Sequence, residues 1–452
     1  DLPETWGGRA VRLVIEGAEP CCVVYCNGSF VGYSEDSFTP AAFDLTPFLR
    51  GTDNALWVIV PRFCTGSWLE DQDFWRFSGL FRSVRLYAVE PVHIEDMDLR
   101  PALSPDFRQG TVALRATVLA KERKTARAAL CAAGCEIQRT FSLAPGVNEW
   151  EMELAVPQPL LWSAETPHLY ELELRITGED GAFLAGARQK IGFRSFCLQD
   201  GLMRLNGKRV VFRGVNRHEW SCRGGRAVSR EEMEWDVRTL KQNNFNAVRL
   251  SHYPNQSCFY ELCDTYGLYV MDETNLETHG TWMSMGRAAR TEHTLPGDHP
   301  QWREAVLDRG RSMLERDKNH PCVLFWSCGN ESAGGATLFA LSQWFRRRDS
   351  SRLVHYEGIF YDRSYPDTSD VESRMYAKPG EIASYLSGHP TKPYISCEYA
   401  HAMGNSFGNT EEYTALEDRF PLYQGGFIWD FIDQALLTAP AGEEPYLAVG
   451  GD

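Results

Sequence analysis

Two β-sandwiches followed by a (β/α)8 barrel are what the sequence predicts, and three observations carry that reading. Residues 1–89 and 90–195 show short alternating runs parted by turn residues, with helical signals almost absent. After about residue 196 apolar runs alternate with segments of helical period, and eight such runs follow before the chain ends. A length of 452 residues suits two to four domains.

In residues 1–89 the clearest element is "CVVYCNGSFVGY", where Asn27-Gly28 between two β-rich runs is a hairpin signal. "DNALWVIV" and "FRSVRLYAV" add further strands. The chain opens on Asp1 and runs at once into "RAVRLVIEG", so a sandwich without its first strands is expected. In residues 90–195 Val112, Leu114, Ala116 and Val118 alternate, as do Tyr170, Leu172, Leu174 and Ile176, and "LAPGVNE" reads as a turn. About 100 residues of this kind fit an immunoglobulin-like sandwich.

Residues 196–452 open the barrel with the strand "RVVFRGVNRHE". "SREEMEWDVRTLKQNN" is a helix with Ser229 and Glu232 as a capping box and Met233, Val237 and Leu240 on one face. "NAVRLSHYP", "LYVMDETN", "CVLFWSCGNES", "LVHYEG", "DVESRMY", "PYISCEY" and "GGFIWDF" complete the eight strands, with helices at "NQSCFYELCDTYG" and "EAVLDRGRSMLERD" among them. A doubly wound sheet is the alternative, but no Gly-rich phosphate loop follows the first strand. "YLAVGGD" closes the chain directly after a strand-like run, which predicts a piece cut from a longer protein at both ends.

Lys plus Arg at 46 against Asp plus Glu at 61 gives a net charge of −15, which argues against nucleic acid or an anionic membrane as partner. No apolar run approaches the roughly 18 residues of a membrane-spanning helix. Thirteen cysteines, an odd number, include Cys197, Cys322 and Cys397 inside apolar runs, a pattern of reduced thiols serving as small core hydrophobes and so of a cytoplasmic chain. Cys131 and Cys135 lack a second pair at zinc-site spacing.

A barrel builds its active site at the C-terminal ends of its strands. Reading past each strand gives His218 and Glu219, then His252, Glu277 and His279, Asn330 and Glu331, Tyr376, Glu398 and His401, and Trp429 and Asp430. Each alone has a structural explanation: a hydrogen-bonded histidine, a core tryptophan, a glutamate at a helix start. Their convergence on one rim favours chemistry. Glycoside hydrolysis needs two carboxylates, one protonated toward the leaving oxygen and one ionised toward the anomeric carbon. Glu331 and Glu398, on strands four and seven, can face one another across the rim. Glu277 and His279 can face the same way from an extended segment and bind Mg2+ with a nearby carboxylate, or simply pair with each other. Trp429 and Tyr376 suit the apolar face of a sugar ring, or the core.

"GVNRHE", "VRLSHYPN", "CDTYGLYVMDETNLETHG", "DKNHPCVLFWSCGNES", "ISCEYAHAMGNS" and "GGFIWDF" resemble the barrel motifs of the bacterial β-galactosidases of glycoside hydrolase family 2. "CNGSFVGYSEDSFTPAAFDLTPFL" and "LEDQDFWRFSGLFR" resemble that family's jelly-roll, galactose-binding-like first domain, and "IGFRSF" its entry into the barrel.

The resemblance implies a retaining β-galactosidase in which Glu398 is the nucleophile and Glu331 the acid and base. It implies Mg2+ held by Glu277, His279 and Glu331, and a galactose pocket lined by His218, His252, Asn330, Met375, Tyr376, His401 and Trp429. Asp73 matches an acid that helps bind Na+ and the sugar, and Arg249 a residue beside the nucleophile. The family continues beyond its eighth strand with a loop completing the Na+ site, a last barrel helix and further β domains. The resemblance therefore implies a barrel lacking its last helix here, and a homo-oligomer for the full-length protein. The competing expectations are another family 2 activity, β-glucuronidase or β-mannosidase, and a non-catalytic carbohydrate-binding or assembly fragment.

Overall fold

The computed structural model describes residues 2–282, 293–439, 442 and 444–449. The last three residues of "YLAVGGD" lie outside the described residues; the strand-like run before them is the strand Tyr446–Ala448, paired with Leu436–Thr438.

In the first domain two three-stranded antiparallel sheets pack face to face. One orders Ala41–Asp44, Ala10–Ile15 and Val84–Val89; the other orders Ser29–Glu35, Cys21–Cys26 and Leu56–Ile59. The period-2 pattern fixes which side chains turn inward: Leu13, Ile15, Cys22, Val24 and Cys26 are buried together with Phe43 and Leu45. The predicted hairpin forms at Asn27-Gly28, both at positive φ (51° and 83°), as a tight two-residue turn requires.

The second domain is a seven-stranded sandwich. Val92–Leu103, Gln109–Ala120 and Gly146–Pro157 form one sheet, and Cys135–Leu143, Lys124–Ala132, Tyr170–Gly178 and Phe183–Ile191 the other. Val112, Leu114, Ala116 and Val118 meet Leu172, Leu174 and Ile176 in its core. "LAPGVNE" is the turn between Leu143 and Gly146.

A small antiparallel sheet (Phe196–Gln199, Leu202–Leu205, Lys208–Arg209) leads into the barrel. Its first strand buries Phe196 and leaves the next three residues in solvent, so Cys197 is exposed and not, as expected, a core thiol. Cys322 and Cys397 are buried as expected, and all thirteen cysteines are free.

Eight parallel strands follow: β1 (Phe212–Arg217), β2 (Ala247–Leu250), β3 (Tyr269–Glu273), β4 (Val323–Ser327), β5 (Leu353–His355), β6 (Glu372–Met375), β7 (Tyr394–Tyr399) and β8 (Tyr423–Phe431). Their hydrogen-bonded order is β5-β4-β3-β2-β1-β8-β7-β6. The ring closes between β5 and β6 through the Asp370 amide, which donates to the Val354 carbonyl at 2.8 Å, and through His355 and Ser373 at 2.8 Å. The helix Arg230–Gln242 has the predicted capping box, with Met233, Val237 and Leu240 buried. Only 3-10 turns, Glu357–Phe360 and Pro366–Thr368, join β5 to β6, where simple alternation would have placed a helix.

Aromatic rings close the barrel floor. Phe212 packs against Phe325 (5.3 Å between centroids), Tyr269 (6.0 Å) and Phe427 (6.3 Å). Strand β8 approaches β1 so closely that a Cβ on Gly425, at φ 89°, would stand 2.0 Å from the Phe212 carbonyl oxygen, which is why "GGFIWDF" begins with glycine.

Candidate active site

Above the aromatic floor lies a layer of buried polar side chains centred on Arg249, fully buried on β2. Its five donors are all engaged: Nε and Nη2 bind the two oxygens of Glu273 (2.9 Å each), Nη2 also Asn330 Oδ1 (2.8 Å), and Nη1 Asn216 Oδ1 (3.0 Å) and Glu398 Oε1 (2.9 Å). Burial would push Glu273 up, but the Arg249 cation and the hydrogen bond from His252 hold it down at about 2. Ser327 Oγ donates to Glu273 Oε2 (2.7 Å) and meets His355 Nδ1 (2.9 Å). Burial and the Arg249 cation keep His355 neutral, down at about 3.

Glu398 stands one level higher, at the upper end of β7 and 4% exposed. Arg249 binds one of its oxygens and the Tyr376 hydroxyl donates to the other at 2.8 Å. Tyr376 follows β6, and its amide donates to the Glu398 carbonyl at 2.8 Å, so main chain and side chain both tie it to Glu398. His252 Nδ1 bonds Glu273 Oε1 (2.7 Å), which leaves Nε2 toward Glu398 at 3.9 Å.

Glu331 follows β4, next to Asn330. Its Oε2 meets His279 Nδ1 at 2.9 Å, and Glu277 Oε1 lies 3.6 Å from the same ring nitrogen. Ligand atoms of Glu277, His279 and Glu331 all fall within 4.8 Å of one another. Glu277 is buried, its Oε2 has no hydrogen-bond partner among the described residues, and burial together with the charge of Glu331 raises its carboxyl well above the usual range. An orphaned carboxylate oxygen beside a second carboxylate and an imidazole is a donor set that fits a hard divalent cation.

The first domain supplies one wall. Its strand Glu70–Asp71 pairs in parallel with Glu277–Thr278, the Glu277 amide donates to the Leu69 carbonyl at 2.9 Å, and the Gly280 amide donates to Asp71 at 2.8 Å. Beyond that strand, exposed Asp73 lends its backbone N–H to Glu277 and its charge to His279. Asp73 is not part of the three-residue ligand group. Phe74 stacks on His218 at 4.7 Å between ring centroids.

The remaining predicted residues gather around this pair of carboxylates. Trp429 stacks on His252 (5.4 Å, 9° between planes) and meets His218 edge-on (5.4 Å, 89°). Met375 is the strand partner of Glu398, and the His401 ring lies 5.9 Å from that of Tyr376. Two strand-end acids have different fates. Glu219 is a buried domain clamp, bound by Arg82 at 2.6 Å. Asp430 accepts from Gln434 at 2.8 Å while its other oxygen is buried without a partner among the described residues, and burial pushes its carboxyl up to about 6.

Sequence reasoning missed Glu273, Asn216, His355 and Glu357. The first three point into the barrel from within strands, where a polar residue in an apolar run was the available signal. Glu357 lies just past the fifth strand, within reach of the strand-end rule.

Three family models cover the chain. Residues 196–452 match the TIM barrel domain of glycosyl hydrolases family 2, residues 1–90 its sugar binding domain, and residues 92–194 a third domain of the family. The chain belongs to glycosyl hydrolase family 2. Among family 2 relatives it is 50% identical over 454 residues to a β-galactosidase of Halalkalibacterium halodurans, spanning 100% of this chain and 45% of that protein. It is 44% identical over 455 residues to a β-galactosidase large subunit of Leuconostoc lactis, spanning 100% of this chain and 72% of that protein. The chain thus spans about half the length of several curated relatives that it matches. A Bacteroides uniformis β-glucuronidase structure superposes with a TM-score of 0.79 at 23% identity, over 96% of this chain and 58% of that one, which shows the shared family 2 fold. Among the described residues no helix is long and apolar enough to cross a membrane.

Proposed function

We propose that this chain is the catalytic part of a retaining β-galactosidase that releases terminal β-D-galactose through a covalent galactosyl-enzyme. The observation that carries the reading is the unequal treatment of two glutamates at the strand ends. Glu398 is buried and held at both oxygens by Arg249 and Tyr376, as suits a nucleophile, while Glu331 is part-exposed and, among the described residues, its carboxylate bonds only to His279. Glu398 would attack the anomeric carbon as the bond to the leaving oxygen breaks and that oxygen takes the proton of Glu331. Water would then give a proton to Glu331 and displace Glu398 from the same carbon.

Substrate class rests on the relatives near 50% identity, which are named β-galactosidases, and on one feature of the pocket. Stacked on His252, Trp429 offers an apolar face for the sugar ring.

Mg2+ would be held by Glu277, His279 and Glu331, and when bound it would supply positive charge that orients the acid. Na+ at Asp73 is a proposal that rests on that carboxylate alone. The full-length protein is proposed to be a cytoplasmic homo-oligomer.

The test is a panel of nitrophenyl glycosides with the full-length protein, followed by NMR of the first-formed anomer. Galactoside preference and initial β-galactose are expected. A preference for glucuronide would reject the substrate, and initial α-galactose would reject the double displacement.

A further inference from the structure

The chain directly after β5 reaches across to the segment that carries Glu331. Glu357, 1% exposed, accepts the Glu331 backbone N–H on Oε1 at 2.9 Å. Its neighbour Tyr356, equally buried, donates its hydroxyl to the Ser332 carbonyl. Two consecutive residues thus grip the main chain on either side of Glu331. That main chain is in the left-handed region, with Glu331 at φ 32°. A glutamate does not favour this conformation, so something must hold it there. Gly358 is part of the same device: a Cβ at that position would stand 2.5 Å from the Tyr356 ring.

We propose that Glu357 is a positioning residue for the general acid: by anchoring the Glu331 amide it fixes the direction in which the Glu331 carboxyl faces the glycosidic oxygen. This rests on the reading of Glu331 as the acid. The role needs an acceptor at Oε1 and no charge, so Gln should replace Glu and Ala should not. Once the amide is released, Glu331 can leave the left-handed region and swing its carboxyl away from the leaving group. Misplacement by about 1 Å costs on the order of 10²-fold in a catalytic step. In the first step, which kcat/KM reports, the loss should fall on substrates that need protonation and spare those that do not, while the water step slows for all of them.

The experiment compares Glu357→Ala and Glu357→Gln with the parent, all as full-length protein, on phenyl and dinitrophenyl β-galactosides, with peptide-resolved hydrogen exchange across residue 331. For Glu357→Ala we expect kcat/KM on the phenyl substrate to fall about 10²-fold. On the dinitrophenyl substrate the fall in kcat/KM should be at least tenfold smaller, with kcat and KM falling together as the galactosyl-enzyme accumulates, and the Glu331 amide should exchange about tenfold faster. Glu357→Gln should restore both readouts. Equal penalties on the two substrates would mean a merely structural role and overturn the proposal, as would an unchanged exchange rate in Glu357→Ala. If Ala prevents folding, Glu357→Gln and Glu357→Ser are compared in the same way, with Ser expected to show the Ala pattern. A parent that cleaves no β-galactoside would instead reject the functional reading, and the exchange rates would then decide the anchoring alone.

Discussion

Arg249 gives two hydrogen bonds to Glu273 and one to Glu398, so Glu398 hangs from a cation that is itself locked into the barrel by a second, wholly buried carboxylate. Removing the Glu273 charge breaks the two-pronged half of this buried network and leaves Arg249 Nε and Nη2 without a carboxylate. Glu273→Gln is therefore expected to destabilise the protein by roughly 3–5 kcal/mol, read as a lower denaturation midpoint in urea. It should also lower kcat, because Arg249 is then free to rotate away from Glu398. A variant as stable as the parent would show that the pair is not a structural anchor.

Tyr376 offers a cleaner separation of activity from stability. The residue is 44% exposed, while its hydroxyl reaches a buried carboxylate oxygen. Tyr376→Phe should leave the thermal midpoint nearly unchanged and reduce kcat about 10²-fold, since only the contact to Glu398 is lost. Equal kcat in the two proteins would remove Tyr376 from the machinery.

Acid should weaken the barrel in two windows. His355 is held at about 3 against an ordinary 6.5, and Glu273 at about 2 against 4.5. Both folded values are depressed, so the stability each contributes is present above its ordinary value and is lost as the pH falls toward its folded value, together on the order of a few kcal/mol. Urea midpoints should decline from pH 6.5 downward and more steeply below 4.5. His355→Gln should flatten the upper part of the curve; a parent-like slope in that variant would assign the loss to other groups.

Binding of Mg2+ at Glu277, His279 and Glu331 should raise the thermal midpoint, since a ligand at 100 times its dissociation constant stabilises by about 2.7 kcal/mol. A chelator should reverse the rise, and Glu277→Gln should abolish most of it. An equal Mg2+ response in Glu277→Gln would place any bound ion elsewhere.

Gly425 tests the barrel seam. Gly425→Ala puts a methyl group 2.0 Å from the Phe212 carbonyl oxygen at a φ that alanine resists. Loss of soluble protein, or a destabilisation above about 4 kcal/mol, is expected.

Period and turn chemistry made the strands legible, because alternation in Val112 to Val118 and the Asn27-Gly28 turn are local properties of the chain. Glu331, Glu398 and the residues around them were legible for a different reason: in a parallel barrel every strand ends on the same face, so sequence position translates into location. What did not show was the layer beneath. Glu273 and His355 sit inside apolar runs, and their roles exist only once Arg249 on β2 meets Glu273 and Ser327 on β4 bridges Glu273 to His355. Cys197 was misjudged because an apolar neighbour says nothing about which face of an edge strand is covered. Glu219 read as a site acid, and the Arg82 that claims it comes from a different domain, 137 residues away.

The short parallel pairing between Glu70–Asp71 and Glu277–Thr278 makes a domain boundary part of the proposed reaction centre. Because backbone bonds from the sandwich hold the strand that presents Glu277 and His279, undocking the sandwich and dispersing the Glu277–His279–Glu331 group become a single equilibrium. An exchange of the first domain between relatives would therefore alter metal affinity even where each barrel residue was preserved, and the two domains are constrained to vary as one heritable unit.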